Sequence, residues 1–276
     1  MANLQEKLES EFGRRYIARL ELPDYFETSL SPSRKLRPYQ EECFRYFLTY
    51  MNPENDFDGK QARPHLLFHM ATGSGKTLIM AGAMLYLYEQ GYRNFLFFVD
   101  STNIVEKTKD NFLNVSSSKY LFAPQIVING KRVEIRKVEN FQGTSSDAIN
   151  LCLCTIQGLH SDLNSEKENA VTYDDFTDQP VVLISDEAHH MNAATRSGRS
   201  SAGEEQHTQD WESTVMRIFN KDNGSLPNIL LEFTATADLT DPAIAQKYEN
   251  KIIFDYTLKK FREDLYSKDL LVELNS

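Results

Sequence analysis

Residues 65–77 read HLLFHMATGSGKT, an apolar segment that runs into a glycine-rich loop and then into a helical pattern. A phosphate chain needs a concave row of backbone N–H groups at a helix N-terminus. Gly73 and Gly75 are the residue type that lets the backbone take the strained φ/ψ of such a cradle. In this pattern Thr72, Gly73, Ser74 and Gly75 make the loop. The Lys76 ammonium, expected to face solvent in the cradle, reaches the β- and γ-phosphates, and the Thr77 hydroxyl ligates Mg²⁺. The strict form of the pattern has glycine where this chain has Met70.

Residues 181–189 read VVLISDEAH, an apolar strand that delivers Asp186 and Glu187 to its C-terminal end. Open α/β sheets place their ligands at that end. With the glycine loop on the adjacent strand, Asp186 is expected to hold the Mg²⁺ shell and Glu187 to polarise an attacking water. Taken alone, such an acidic pair is a solvated strand end; the upstream phosphate loop is what gives it chemistry.

These residues must be held by a scaffold, and the chain carries the pattern for one. Short apolar runs predict strands over 65–70, 94–100, 150–155, 181–186, 229–234 and 251–256, with a hairpin over 125–129 and 133–138 around Gly130. The runs VVLIS and ILLEF are continuously apolar, as strands covered on both faces are. Apolar residues at three- and four-residue spacing predict helices over 76–90, 103–115 and 211–220, and a helical preface over 4–20. Strands alternating with helices read as an α/β fold, a mostly parallel sheet flanked by helices. Polar stretches over 161–179 and 192–209 are expected to be mobile surface loops.

Composition narrows the class. Hydrophobic residues make up 41% and charged residues 25% of 276, ordinary for a soluble globular chain. No apolar run reaches the length of a membrane span, the N-terminus is polar rather than a secretory signal, and Cys43, Cys152 and Cys154 are too few for a disulfide framework. Cys152 and Cys154 lack the second pair a zinc site needs, so they read as buried or half-buried thiols on one strand face, and a cytoplasmic location is expected. The net charge of −10 excludes a broad electrostatic grip on nucleic acid, so any such contact must be local or shared with a partner domain.

In this order, MATGSGKT, DEAH and FTAT (233–236) resemble motifs I, II and III of superfamily 2 helicases and translocases, in which Met70 is a common variant of the loop. The resemblance implies a RecA-like P-loop NTPase domain that binds ATP and Mg²⁺ and acts on duplex DNA. LRPYQE (36–41) is similar to the adenine-reading segment of these motors. It implies nucleotide contacts from Arg37 and from Gln40, whose amide matches the N6/N7 edge of adenine; the competing reading of Gln40 is a surface helix residue. Ser101, Thr102 and Asn103 match motif Ia. Thr155 and Gln157 sit where a second backbone-contacting motif is expected. Both groups would touch nucleic-acid phosphates with short polar side chains and N–H groups, or would simply cap strand ends. Thr234 and Thr236, with His189, would relay nucleotide state from the DEAH segment to the nucleic-acid face; a buried structural histidine is the other reading of His189.

Within the superfamily, FVDSTNIVEKT (98–108), DEAHH (186–190) and LEFTAT (231–236) after Trp211 and Glu212 resemble the Res motor subunit of type III restriction enzymes. That resemblance spans roughly residues 36–258. It divides the chain into a helical preface and linker (1–35), a first RecA-like domain (36–258), and a segment (259–276) that starts towards a second RecA-like domain. That second domain's motifs and a PD-(D/E)xK nuclease constellation are not found in the sequence. The chain is therefore expected to be half of a motor, a fragment or truncated product that works with a second RecA-like domain, a nuclease domain and a methyltransferase or specificity subunit. Other readings are a type I restriction motor, a DEAD/DEAH RNA helicase (which usually carries Ser-Ala-Thr in place of the FTAT of residues 233–236), and a nucleotide-binding interaction module inactive alone.

Overall fold

The computed structural model of the chain describes residues 3–164, 171–186, 188, 202–223 and 226–266. Eight strands form one sheet in the order β3-β4-β5-β2-β6-β7-β1-β8. In chain order these are β1 (His65–Met70), β2 (Asn94–Val99), β3 (Ile126–Ile128), β4 (Lys131–Val138), β5 (Ala148–Thr155), β6 (Val181–Asp186), β7 (Ile229–Thr234) and β8 (Ile252–Tyr256). Every pairing is parallel except the β3–β4 hairpin, which turns at Asn129 and Gly130 as the sequence predicts. This is the expected α/β architecture.

Alternation along the strands builds two cores. Phe95, Phe97 and Val99 of β2, Ile184 of β6 and Phe233 of β7 join one cluster, while Leu96, Phe98, Leu183 and Leu230 join the other. Because both faces are buried, the strands read as unbroken apolar runs. Helices α4 (Pro38–Met51), α5 (Lys76–Glu89) and α6 (Thr102–Phe112) contribute to the first core, and α7 (Ile156–Leu163) and α8 (Ala202–Phe219) to the second. Two shorter helices, α9 (Pro242–Lys247) and α10 (Leu258–Glu263), flank β8. Among the described residues no helix is long and apolar enough to cross a membrane.

Several expectations change in detail. The preface is three helices, α1 (Leu4–Phe12), α2 (Arg14–Arg19) and α3 (Asp24–Ser29), with Gly13 capping the first and opening the second. It is no detached leader: Leu4, Leu8, Ile17, Phe26 and Leu30 are buried in the first core. Helix α1 also covers the sheet's edge, where Gln5 Oε1 accepts the Asp255 N–H at 2.9 Å. The expected loop at 161–179 is anchored by Val171 and Phe176, both buried, and the expected loop at 192–209 overlaps α8 from residue 202 onward. Cys152 and Cys154 share a face and are free thiols; among the described residues no group of three acidic, His or Cys side chains could hold a metal.

Candidate nucleotide-binding site

Strand β1 ends at Met70, the loop spans 71–75, and α5 starts at Lys76. Met70 is fully buried in the first core. Its side chain is thus a packing element of the core at the position where the strict pattern has glycine. Phe233 is placed by the same logic: it pairs in register with Phe68, and the two rings stack at 4.4 Å and 5°.

Gly73 and Gly75 have φ of 80° and 85°, the left-handed region that glycine supplies without strain. A Cβ on Gly73 would meet nothing within 4 Å, so the loop opens onto free space there. On Gly75 it would lie 2.4 Å from Gln40 Nε2, so this position is also closed sterically. Helix α5 has no side-chain hydrogen bond at its N-cap, Gly75. Ser74 Oγ is buried with no hydrogen-bond partner. An uncapped helix N-terminus carries positive potential, and a buried hydroxyl without a partner costs free energy until a ligand engages it. Both features fit an anion seated in the loop.

Lys76 is placed differently from expectation. It is 8% exposed, with Nζ 3.5 Å from the Met70 carbonyl, so the stem is packed and only the head group reaches the loop. Thr77 is half-buried beside it, and Thr72 is exposed.

Gln40 is 4% exposed, which removes the surface-residue reading. Its Nε2 donates to the Ser74 carbonyl at 2.8 Å, and its Oε1 accepts the Arg37 N–H at 2.9 Å. Helix α4 can brace the loop because it lies close to α5: a Cβ on Gly82 would meet Phe44 Cζ at 2.4 Å. A cavity of about 370 Å³ opens beside this brace, lined by Gly73, Ser74, Gly75, Thr77, Arg37 and Gln40. It also draws in Arg34, Lys35, Asn111 and Leu121, none of which the motif reading singled out. A signal was present in the basic run RKLR at 34–37, but Asn111 is brought in only by the packing of α6.

Asp186 ends β6, half-buried, in register with Phe233. The expected adjacency to the loop strand is corrected: β7 lies between β6 and β1. Two strand spacings, about 9–10 Å, thus separate the axes of the strands that carry Asp186 and the loop. Glu187 and His189 lie outside the described residues.

The strand between carries Thr234, fully buried, whose Oγ1 accepts the Thr236 N–H at 3.2 Å. On the same sheet face, Glu232 of β7 and His65 of β1 form a buried pair at 2.5 Å. Burial alone would raise the Glu232 carboxyl, but the neighbouring His65, with Lys247 and Lys251, holds it below the ordinary carboxylate value. His69 of β1 pairs with Asp255 of β8 at 2.8 Å.

The two groups assigned to nucleic acid are neighbours. Val99 at the end of β2 pairs with Thr155 at the end of β5. Ser101 is the N-cap of α6, with Thr102 and Asn103 exposed in its first turn. Thr155 caps α7 by accepting the Gly158 N–H at 3.1 Å, and Gln157 Nε2 lies 3.4 Å from Asp100 Oδ1. Two helix N-termini therefore open side by side at the C-terminal edge of the sheet.

Residues 33–239 match the family described as the Res subunit of type III restriction enzymes. A curated relative, the probable type III restriction-modification enzyme HindVIP Res subunit of Haemophilus influenzae, is 37% identical over 275 residues. The match covers 92% of this chain and 53% of the relative, so the chain spans about half that relative's length. Among solved structures, the ATP-dependent type ISP restriction-modification enzyme LlaBIII bound to DNA superposes with a TM-score of 0.50 at 14% identity. That superposition covers 84% of this chain and 16% of that one, and it speaks for the fold alone. On the family match, which takes in the glycine loop, the DEAH strand and the FTAT strand in their observed order, the chain belongs to the Res-subunit family of type III restriction enzymes.

Proposed function

We propose that this chain is an ATP-binding and ATP-hydrolysing motor module that acts on duplex DNA, as the first of two RecA-like domains. The observation that carries the reading is the braced loop, with an uncapped helix N-terminus above it and the Ser74 hydroxyl buried without a partner. An ATP triphosphate would supply the missing acceptors there, and the Lys76 ammonium its charge-assisted hydrogen bonds. The cavity beside Arg37 and Gln40 would take the base and ribose.

Mg²⁺ would be held by Thr77 and Asp186, whose hydroxyl and carboxylate are the oxygen donors this ion takes. When bound it would neutralise charge on the phosphates. Glu187 would orient the attacking water and accept its proton. Thr234 and Thr236 would pass nucleotide state along β7, and His189 would act in the same relay.

DNA contacts are assigned to Ser101, Thr102, Asn103, Thr155 and Gln157. Backbone N–H groups at two helix N-termini can hold phosphates without a positive field, which suits a chain of net charge −10. The arginines that complete the ATP site in related motors would come from the second RecA-like domain. An arginine finger is worth on the order of 10³–10⁵ in rate, so the 276-residue chain should bind ATP and turn it over slowly. Further partners by the same reading are a nuclease domain and a methyltransferase subunit, in the cytoplasm. Steady-state ATPase of the chain with and without duplex DNA tests this. Slow turnover with little stimulation is expected; robust DNA-stimulated turnover would show the site to be complete and overturn the half-motor reading.

A further inference from the structure

We propose that the Tyr39 hydroxyl is a positioning group for the phosphate loop, and that the segment from Tyr256 to Tyr266, stacked on it, carries nucleotide occupancy out of the site. This rests on the nucleotide reading above. Tyr39 Oη donates to the Ser74 carbonyl at 2.7 Å, the same oxygen that accepts Gln40 Nε2 at 2.8 Å. Two donors on one carbonyl fix the plane of the 74–75 peptide. Because that peptide is trans and planar, the Gly75 N–H must point the opposite way. The orientation of a loop N–H is thus set by a tyrosine 35 residues upstream.

The other end of the loop is held from β8, where the Tyr256 carbonyl accepts the Ala71 N–H at 2.9 Å. The two tyrosines that hold the loop are themselves stacked, centroids 4.3 Å apart at 13°. Phe261 and Tyr266 meet the Tyr39 ring edge-on at 6.0 and 5.1 Å, and Tyr256 Oη donates to Asp264 at 2.5 Å. Arg37 donates to Tyr39 Oη at 3.1 Å and lies 4.9 Å over the Tyr266 ring. Tyr39 is 3% exposed, so water cannot replace its partner when the loop shifts. Burial, the largest influence, raises the Tyr39 phenol above its ordinary value and keeps the donated proton in place. A movement of Ser74 on phosphate binding therefore has to be taken up by the rings, and through them by α10 and Tyr266.

The test compares the chain with Tyr39→Phe, which keeps the ring and its stack and removes one hydroxyl. ATP and ADP affinity should fall by up to about tenfold, the limit set when one buried hydrogen bond no longer pre-orders the loop. AMP affinity should be unchanged, because AMP does not fill the loop. In the parent chain ATP should slow backbone hydrogen exchange over 258–266, and in Tyr39→Phe that response should be lost. Equal ATP affinity in the two proteins, an equal loss for AMP, or no exchange response in the parent overturns the inference while leaving ATP binding intact. Failure of the parent to bind ATP at all instead overturns the nucleotide reading, and the inference with it.

Discussion

Gln40 and Ser74 stand 34 positions apart in sequence and are joined by a 2.8 Å hydrogen bond from side-chain amide to loop carbonyl. Its oxygen accepts the Arg37 N–H at 2.9 Å, so the amide ties the helix start to the loop with one donor and one acceptor and keeps a second N–H and a second lone pair. The side chain that braces the loop is therefore the same one that the adenine reading needs, and its substitution touches both roles. Gln40→Ala should weaken both ATP and GTP, by up to about thirtyfold if two hydrogen bonds of roughly 1 kcal/mol each no longer order the loop, and should also reduce the ATP preference. Competition binding with the two nucleotides separates the effects: a shared loss reports the brace, a changed ratio reports adenine reading. An unaltered ratio would remove the adenine role.

Asp186 and Glu187 should part company on mutation. Asp186→Asn is expected to weaken nucleotide binding only when Mg²⁺ is present. Glu187→Gln is expected to retain Mg·ATP and slow hydrolysis by at least a hundredfold, at the low end of what general bases contribute. Binding titrated against Mg²⁺ checks the division; indistinguishable mutants would defeat it.

The Glu232–His65 pair is a stability element rather than a chemical one. Its carboxyl is depressed below the ordinary 4.5, so the stabilisation it confers is present above that value and lost as pH falls through the lower folded-state value. Glu232→Gln should cost on the order of 3–5 kcal/mol, the range for breaking one side of a buried pair. Urea melts at pH 7 and at pH 3 check both statements: the difference between parent and variant should shrink at pH 3. A constant difference would mean that the carboxylate charge is not what stabilises.

How much of this was legible beforehand depends on the length scale. The phosphate loop, the DEAH strand and the parallel sheet follow from local patterns, because periodicity and glycine placement act over a few residues. The order of strands does not. That β7 lies between β6 and β1 is decided by packing across the whole chain, and it changed the geometry expected for Asp186. The burial of Lys76 and Gln40 was equally hidden, since a polar residue reads as exposed until the groups that satisfy it are known. Tyr39 sat unnoticed between Arg37 and Gln40, its role depending on Tyr256, which is 217 positions away in sequence. The break at Gly13 interrupts the single helix expected over 4–20, and neither it nor the burial of α1 against the sheet edge was read from the periodicity.

The most direct test of ATP binding at the loop is calorimetric titration of Mg·ATP into the 276-residue chain and into Lys76→Met. Methionine suits the site better than alanine because the lysine stem is buried at 8% exposure and its packing must be kept. A charge-assisted hydrogen bond to phosphate is worth about 1.5–3 kcal/mol, which corresponds to roughly 10- to 150-fold in affinity. The expected result is saturable, Mg²⁺-dependent binding by the parent and a loss of that size in the variant at an unchanged melting temperature. Equal affinity in the two proteins, or no binding by a folded parent, would contradict a nucleotide seated on this loop.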